Sequence, residues 1–398
     1  MATLRAQTRQ KSTVQSSVPA SYYRGGTSRG IMFHTPDLPA SSKSRASLFL
    51  QAIGAPDPHG RQLNGMGAGV SSLSKICIIG TDDLPTDIDV TYTFIGIGIE
   101  RDEVDYAGNC GNMASAVGPY AYNNRLLHAQ EKADPGLYER EGEVTVSFVN
   151  TNTNTVIRGK FRVEGGQARV DDETSIDGVS GPGTGVMLDF IRPGGSKTGK
   201  LLPTGKVTER LAGYDVSCVD SANPCVFVRA KDLGVEPTIL PDRLLEDHAT
   251  RATLEKIRTE AAVAMGLIKA GEEPPRVIPK IALVSPTQDQ TTLSGKVNSA
   301  SELDLIIRFI SDAQPHRASP LTGTLCTATA AKIAGSVVNE CLSERLALEN
   351  YVTIGHPSGK IQVDAQMDEN GDVESARVLR TTRRLFEGKV FWNDHGEA

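Results

Sequence analysis

No apolar run in the 398-residue chain approaches the roughly 20 residues needed to span a bilayer, so a membrane protein is not expected. An excess of positive charge is missing too. Forty-two Lys and Arg stand against 48 Asp and Glu, a formal net charge of −6, and the arginines are scattered, which leaves no basic face for a nucleic-acid backbone. Cysteine is sparse. The six at 77, 110, 218, 225, 326 and 341 form no CxxC pair and no dense cluster, which excludes a disulfide framework and a cysteine-based zinc site and fits reduced thiols in a cytoplasmic compartment. Acidic residues are absent from positions 1–17, which carry Arg5, Arg9 and Lys11. That bias is shared with mitochondrial presequences and keeps the matrix as an alternative location, but too few apolar residues are present for an amphipathic face, and a disordered tail is expected.

What is present points to a large folded core. At 39% hydrophobic and 23% charged, a chain of this length is expected to form two domains. Strand patterns dominate: Tyr22-Tyr23 leading to Ile31-Met32-Phe33, the alternation from Asp87 to Phe94, that of Val144, Val146 and Phe148, and Val156 to Val163. These predict a half-buried antiparallel sheet. Between them, Gly111 to about Ala121 has almost no polar face, so it reads as a helix surrounded by protein. A Gly/Pro cluster at Gly178 to Gly185, followed by Pro193-Gly194-Gly195, marks a domain junction. The second half repeats the outline, with strands at Val216–Val219, Cys225–Val228, Lys280–Val284, Leu305–Ile310, Val352–Ile354 and Ile361–Val363, and a small-residue helix beginning near Cys326. The repetition suggests a duplication. One surface helix is expected from Asp242 to about Leu267, with Leu245, Leu254, Ile257, Ala261 and Met265 inward. The expected division is a tail over 1–17, a first domain over 18–187 joined by the C-terminal segment 375–398, and a second domain over 188–374.

Two segments carry chemistry. Asn64 to Lys75 is dense in glycine and runs into the apolar Ile76-Cys77-Ile78-Ile79, a pattern that would let backbone N–H groups approach an anion with an amine placed beside them. Gly108-Asn109-Cys110-Gly111-Asn112-Met113 puts a thiol at the start of the buried helix, where the helix N-terminus favours anions and thiolates. Two buried helices starting at one cleft would suit a di- or tricarboxylate.

These stretches, with Arg24 to Gly30, Thr198 to Gly205, Asp220 to Cys225, His316-Arg317-Ala318 and Gly355 to Gly359, occur in an order that resembles the PrpF-type 2-methylaconitate isomerase family, within the diaminopimelate epimerase-like fold. The resemblance covers nearly the whole chain from about residue 20. It implies an α+β protein of two pseudo-symmetric domains, each a β-barrel wrapped around a central helix, with the active site between them. It also implies isomerisation of small unsaturated polycarboxylates without metal or organic cofactor, with Lys75 and Cys110 at the positions of the acid/base residues. Ser358 falls in the second-domain motif that faces them.

Removing a proton next to a conjugated acid requires a base within reach and donors for the resulting dienolate. Lys75 and Cys110 are the expected catalytic pair. Carboxylate binding is expected from Arg24, Ser28 and Arg29 in a Gly-rich turn, from Ser71 and Ser72, from Asn109, Gly111, Asn112 and Thr322 at helix starts, and from Lys200, His316 and Ser358 at the rim. No metal is expected, because His356 has no second ligand at metal spacing. Two alternatives stay open: a two-thiol amino-acid epimerase or racemase using Cys110 and Cys326, and a non-catalytic accessory that binds a polycarboxylate for an aconitase-like enzyme. A homo-oligomer is compatible with the sequence.

Overall fold

The computed structural model describes residues 14–170, 173–311, 314–343 and 351–393. Positions 1–13, most of the expected tail, lie outside them. Strand structure begins earlier than the expected domain start, at Ser16, because Ser16 and Ser17 pair with Trp392 and Phe391.

In the first half, eight strands close into a ring: Ser16–Gly25, Ser28–His34, Lys75–Gly80, Val90–Ile97, Gly142–Asn150, Thr155–Glu164, Thr184–Ile191 and the 20-residue Val373–Trp392, which returns to pair with the first. The ring encloses the helix Gly111–Asn123, whose residues 111–122 are all buried. The expected apolar helix is therefore the barrel's filling. In the second half, Glu209–Leu211, Tyr214–Ser221, Asn223–Arg229, Lys280–Ser285, Leu305–Ser311, Tyr351–His356 and Gly359–Met367 pair in that order and reach the same last strand at Val373–Arg377. They curl around the helix Leu321–Ala331, which is buried along its whole length. The fold is α+β, two barrel-like sheets each wound about a helix and sharing one long strand.

The sheet is not purely antiparallel as expected. Four parallel pairings occur, 31–34 with 76–79, 90–92 with 148–150, 225–229 with 280–284, and 305–306 with 354–355. Parallel neighbours need a crossover, and each of these connections carries helix. The helix Ser42–Ile53 links the first pair, and the second pair flanks the first buried helix. Helices 241–264 link the third, and the fourth flanks the second buried helix. The same succession thus occurs twice, which gives the internal repetition a physical form.

The expected surface helix from Asp242 to Leu267 is two helices, Pro241–Glu246 and His248–Ala264. Asp247 interrupts them by capping the second, its carboxylate accepting the Thr250 N–H at 3.0 Å. That break turns Leu244 inward and leaves Leu245 exposed.

Candidate active site

The two buried helices begin against each other. Cys110, Gly111 and Asn112 at the first helix start and Pro320 and Leu321 at the second line one cavity of about 30 Å³, room for a water or two. A Cβ on Gly111 would stand 3.1 Å from that of Leu321. Neither helix has a side-chain cap at its N-terminus. Uncapped first turns carry unsatisfied N–H donors and partial positive charge, and here both converge on one small space.

Its walls add more positive charge. Lys75 opens the strand Lys75–Gly80, and its Nζ lies 4.8 Å from the centroid of the Phe94 ring. Among the described residues it has neither a hydrogen-bond nor an ion-pair partner. Lys280 opens the strand Lys280–Ser285, is 5% exposed, and donates to Val277 O at 2.8 Å. Burial pushes its ammonium below the ordinary lysine range. Arg276 joins the lining, paired with Glu103 at 3.3 Å and donating to Ile97 O at 3.2 Å. His316 is buried in the wall and driven down to about 3, by burial first and the Lys75 charge second. Its Nδ1 accepts the Ala318 N–H at 3.1 Å, so the neutral ring carries its proton on Nε2.

The Asn109 side chain, 3% exposed and in the cavity wall, has both its Oδ1 and Nδ2 buried without partners. Buried amides are normally satisfied, so this side chain has both its donor and its acceptor available to a group entering the cavity. The Asn109 backbone is held firmly: Asn223 Oδ1 accepts its N–H at 3.1 Å, while Asn223 Nδ2 donates to its carbonyl at 2.9 Å and to Thr322 Oγ1 at 3.0 Å. Tyr92 donates to the Cys110 carbonyl at 3.1 Å, and Cys110 Sγ stands 3.9 Å from Ser28 Oγ.

Of the residues expected from sequence, Lys75, Cys110, Ser28, Ser71, Asn109, Gly111, Asn112 and His316 line this cavity. The Asn112 side chain, however, is engaged with Thr27, donating to its hydroxyl at 3.2 Å and accepting its N–H at 3.4 Å. This close docking requires Gly26, at φ 52°, where a Cβ would meet Asn112 Oδ1 at 2.1 Å.

Six others lie elsewhere. Arg24 is a staple, its Nη1 donating to Gly26 O, Thr381 O and Thr381 Oγ1 at 2.8–3.0 Å. Arg29 neighbours Ser28 on a strand and so faces the opposite way, over the Tyr22 ring. Ser72 is outside the lining, while Ser74, unanticipated, is in it. Thr322 is the acceptor for Asn223 rather than a cavity residue. Lys200 is exposed, on a loop that Asp220 organises by accepting the N–H groups of Lys197 and Thr198, each at 2.8 Å. Ser358 donates to Arg317 O at 2.5 Å, in a hairpin that faces the 173–183 segment.

The glycine-rich stretch also serves differently from expectation. Its N–H groups are used within the protein: Gly65 on Gln62 O, Met66 on Ala52 O, Gly67 on Ile53 O and Gly69 on Gln62 Oε1. The close approach is to the end of the helix Ser42–Ile53, since a Cβ on Gly65 would lie 2.1 Å from Gly54 N. Gln62, wholly buried, also accepts from Ser74 Oγ at 2.6 Å, so these four amides are committed within the protein while Ser71 and Ser74 of the same stretch line the cavity.

Cys326 does not face Cys110. The second helix starts five residues earlier than Cys326, at Leu321, so the thiol sits inside the helix, wholly buried and donating to Val219 O at 3.4 Å. Burial, with Cys225 next to it, pushes this thiol far up. Cys326→Ser is therefore expected to retain turnover within a few-fold; a loss of a hundredfold or more at unchanged stability would restore the two-thiol scheme. Among the described residues, no group of three His, Cys, Asp or Glu is placed to hold a metal ion, and no helix is long and apolar enough to cross a membrane.

The chain belongs to the PrpF protein family, whose model matches residues 15–393. It is 37% identical over 385 residues to a 3-methylitaconate isomerase of Eubacterium barkeri, with 95% of this chain and 97% of that protein covered. It is 35% identical over 393 residues to a 2-methyl-aconitate isomerase of Shewanella oneidensis, with 94% and 97% covered. Among solved structures it is similar to a methylitaconate-delta-isomerase at TM-score 0.75 and 37% identity, with 95% of this chain and 96% of that one covered.

Proposed function

We propose that this protein is an isomerase of small unsaturated di- or tricarboxylates, of the aconitate or 2-methylaconitate type, and that the cavity between the two helix starts is where the double bond moves. The observation that carries this reading is the convergence of two uncapped helix N-termini and two lysines lacking carboxylate partners on an unsatisfied buried amide. A multiply charged acid answers each of those features at once. At about 30 Å³ the cavity is smaller than such an acid, so binding requires its walls to separate.

Lys75 acts as the base from its neutral amine form, taking the proton from the carbon next to the conjugated system and becoming the ammonium. The C–H bond breaks, its electron pair moves into the conjugated carboxylate, and the dienolate charge is met by the helix ends and the His316 Nε2–H. Collapse of the dienolate returns a proton either to the same carbon after bond rotation or to the far carbon of the allyl unit. Cys110 stands at the helix start to deliver it in the second case.

Incubation with cis-aconitate, trans-aconitate and 2-methylaconitate in deuterated water, followed by proton NMR, is expected to show both isomerisation and solvent deuterium in one acid. Absence of both in all of them would remove the enzymatic reading and leave an accessory binder. Cys110→Ala is expected to retain solvent exchange while net isomerisation falls about 100-fold. Unchanged isomerisation would give both proton transfers to Lys75.

A further inference from the structure

We propose that Lys280 is a second substrate-contacting lysine, the counterpart of Lys75 in the other half of the molecule, and that its ammonium holds the carboxylate onto which charge moves in the dienolate. This rests on the isomerase reading above and adds a residue to it.

The duplicated topology places the two lysines at equivalent points. Lys75 opens a strand that runs parallel to Ser28–His34 after a helical crossover. Lys280 opens one that runs parallel to Asn223–Arg229 after another, with Cys225 as its direct partner in register. The local sequences match in kind, Lys75-Ile76-Cys77-Ile78-Ile79 and Lys280-Ile281-Ala282-Leu283-Val284. Each strand carries its apolar residues into the core and leaves its first residue at the mouth, so the cavity receives one amine from each half.

The surroundings of Lys280 are those of a cation awaiting a partner. Its one hydrogen bond among the described residues goes to the neutral Val277 carbonyl. The groups facing it are Lys75, Cys110 and His316 around the cavity, Arg276 in the lining, Cys225 on the neighbouring strand, and Asp105. Asp105 is the one acid in this set, and its carboxylate accepts the Ala107 N–H at 2.7 Å and the Val277 N–H at 3.2 Å. An apolar side chain would serve stability better at such a place, because a buried ion without a counter-charge costs more than it returns. The position makes sense if a ligand carboxylate supplies that charge.

Protonation follows the same logic. Burial first, and the Lys75 charge with it, weaken the hold of Lys280 on its proton in the free protein, while Cys225, Cys110 and Asp105 work the other way. A carboxylate arriving against it raises that tendency again. Binding therefore takes up a proton on the alkaline side, and affinity falls there as pH rises through the window between the free and bound values.

The test uses the full chain with tricarballylate, a saturated tricarboxylate that cannot isomerise, as the binding probe. In the wild type, tricarballylate is expected to raise the thermal midpoint and to lose affinity on the alkaline side. Lys280→Met is expected to fold with a ligand-free midpoint at or above that of the wild type. It should show no stabilisation by tricarballylate and no alkaline loss, with kcat down about 100-fold on the acid the wild type turns over. Lys280→Arg should recover part of the stabilisation. Wild-type kcat with wild-type tricarballylate stabilisation in Lys280→Met would overturn the proposal, as would a collapsed midpoint in both variants, which would mark a structural lysine. If the wild type isomerises nothing, the isomerase reading fails on its own, and the tricarballylate comparison still decides whether Lys280 binds the acid.

Discussion

Replacing Lys75 by methionine is expected to abolish both isomerisation and solvent deuterium exchange, a fall of about 10³ to 10⁴ in kcat, with little change in stability. The two halves of that expectation have separate grounds. Stability should hold because the Lys75 amine has no hydrogen bond or ion pair to lose among the described residues. Its one specific contact is with the Phe94 ring at 4.8 Å, worth about 0.5–1 kcal/mol at a partly exposed position. Activity should vanish because the other proton-carrying groups of the lining have different tasks: His316 is a ring-nitrogen donor held neutral, Lys280 is committed to a carboxylate, and Cys110 delivers a proton rather than removing one. Lys75→Arg sharpens the result. The guanidinium matches the charge of the protonated lysine but has no neutral form that could accept a proton at working pH, so it should bind tricarballylate while exchange stays lost. Exchange within tenfold of the wild type in Lys75→Met would refute Lys75 as the base. Tricarballylate binding lost in Lys75→Met, from a wild type that never exchanged, would instead make it an anion clamp in a non-catalytic binder.

Much of this arrangement was legible because periodicity reports burial directly. The alternation of Val144, Val146 and Phe148 reads as a strand and the run after Gly111, with almost no polar face, as a buried helix, and both occur where expected. The cavity lining was legible where a residue stood beside an abrupt change of local structure, as Lys75 and Cys110 do. It was illegible where function depends on which way a side chain turns. Ser28 and Arg29 are adjacent and equally polar, yet the pleat sends one to the cavity and the other to Tyr22. Lys280 gave no local sign, since a lone lysine ahead of an apolar strand is ordinary. The signal that could have found it was the repeat, by laying the second half over the first and noticing that both copies begin the same strand with lysine. Helix Ser42–Ile53 was missed because its first turn, Ser42-Lys43-Ser44-Arg45, is polar and weakly helical, and its helicity is fixed by burying Leu48, Phe49, Ala52 and Ile53 under the sheet. Asn223 works through the backbone of Asn109, 114 residues away, and Gln62 through Gly69 N–H and the Ser74 hydroxyl across a loop, and no local pattern encodes either pairing.

Asn223 leads to the second large effect. Substituting alanine should lower stability by about 3–5 kcal/mol and kcat by about 100-fold, although the residue is absent from the cavity lining. Its side chain is wholly buried and makes three hydrogen bonds at 2.9–3.1 Å, two to the Asn109 backbone and one to Thr322. Alanine leaves the Asn109 N–H and carbonyl without partners in a dry setting, at about 1–3 kcal/mol for each group. It also unties the residue preceding Cys110 from the second helix. The first helix start, the thiol and the Asn109 amide would then lose their fixed relation to the opposite wall, and a displacement of about 1 Å is enough to cost two orders of magnitude in rate. Asn223→Asp separates the two contributions. Aspartate keeps the shape, can still accept the Asn109 N–H and can accept from the Thr322 hydroxyl once it turns, but it presents an acceptor to the Asn109 carbonyl and places a negative charge behind a cavity built for anions. It should raise KM more than alanine does. Urea denaturation midpoints measured beside kcat and KM decide the matter: Asn223→Ala with wild-type kcat would show that the two helix starts keep their places without this latch.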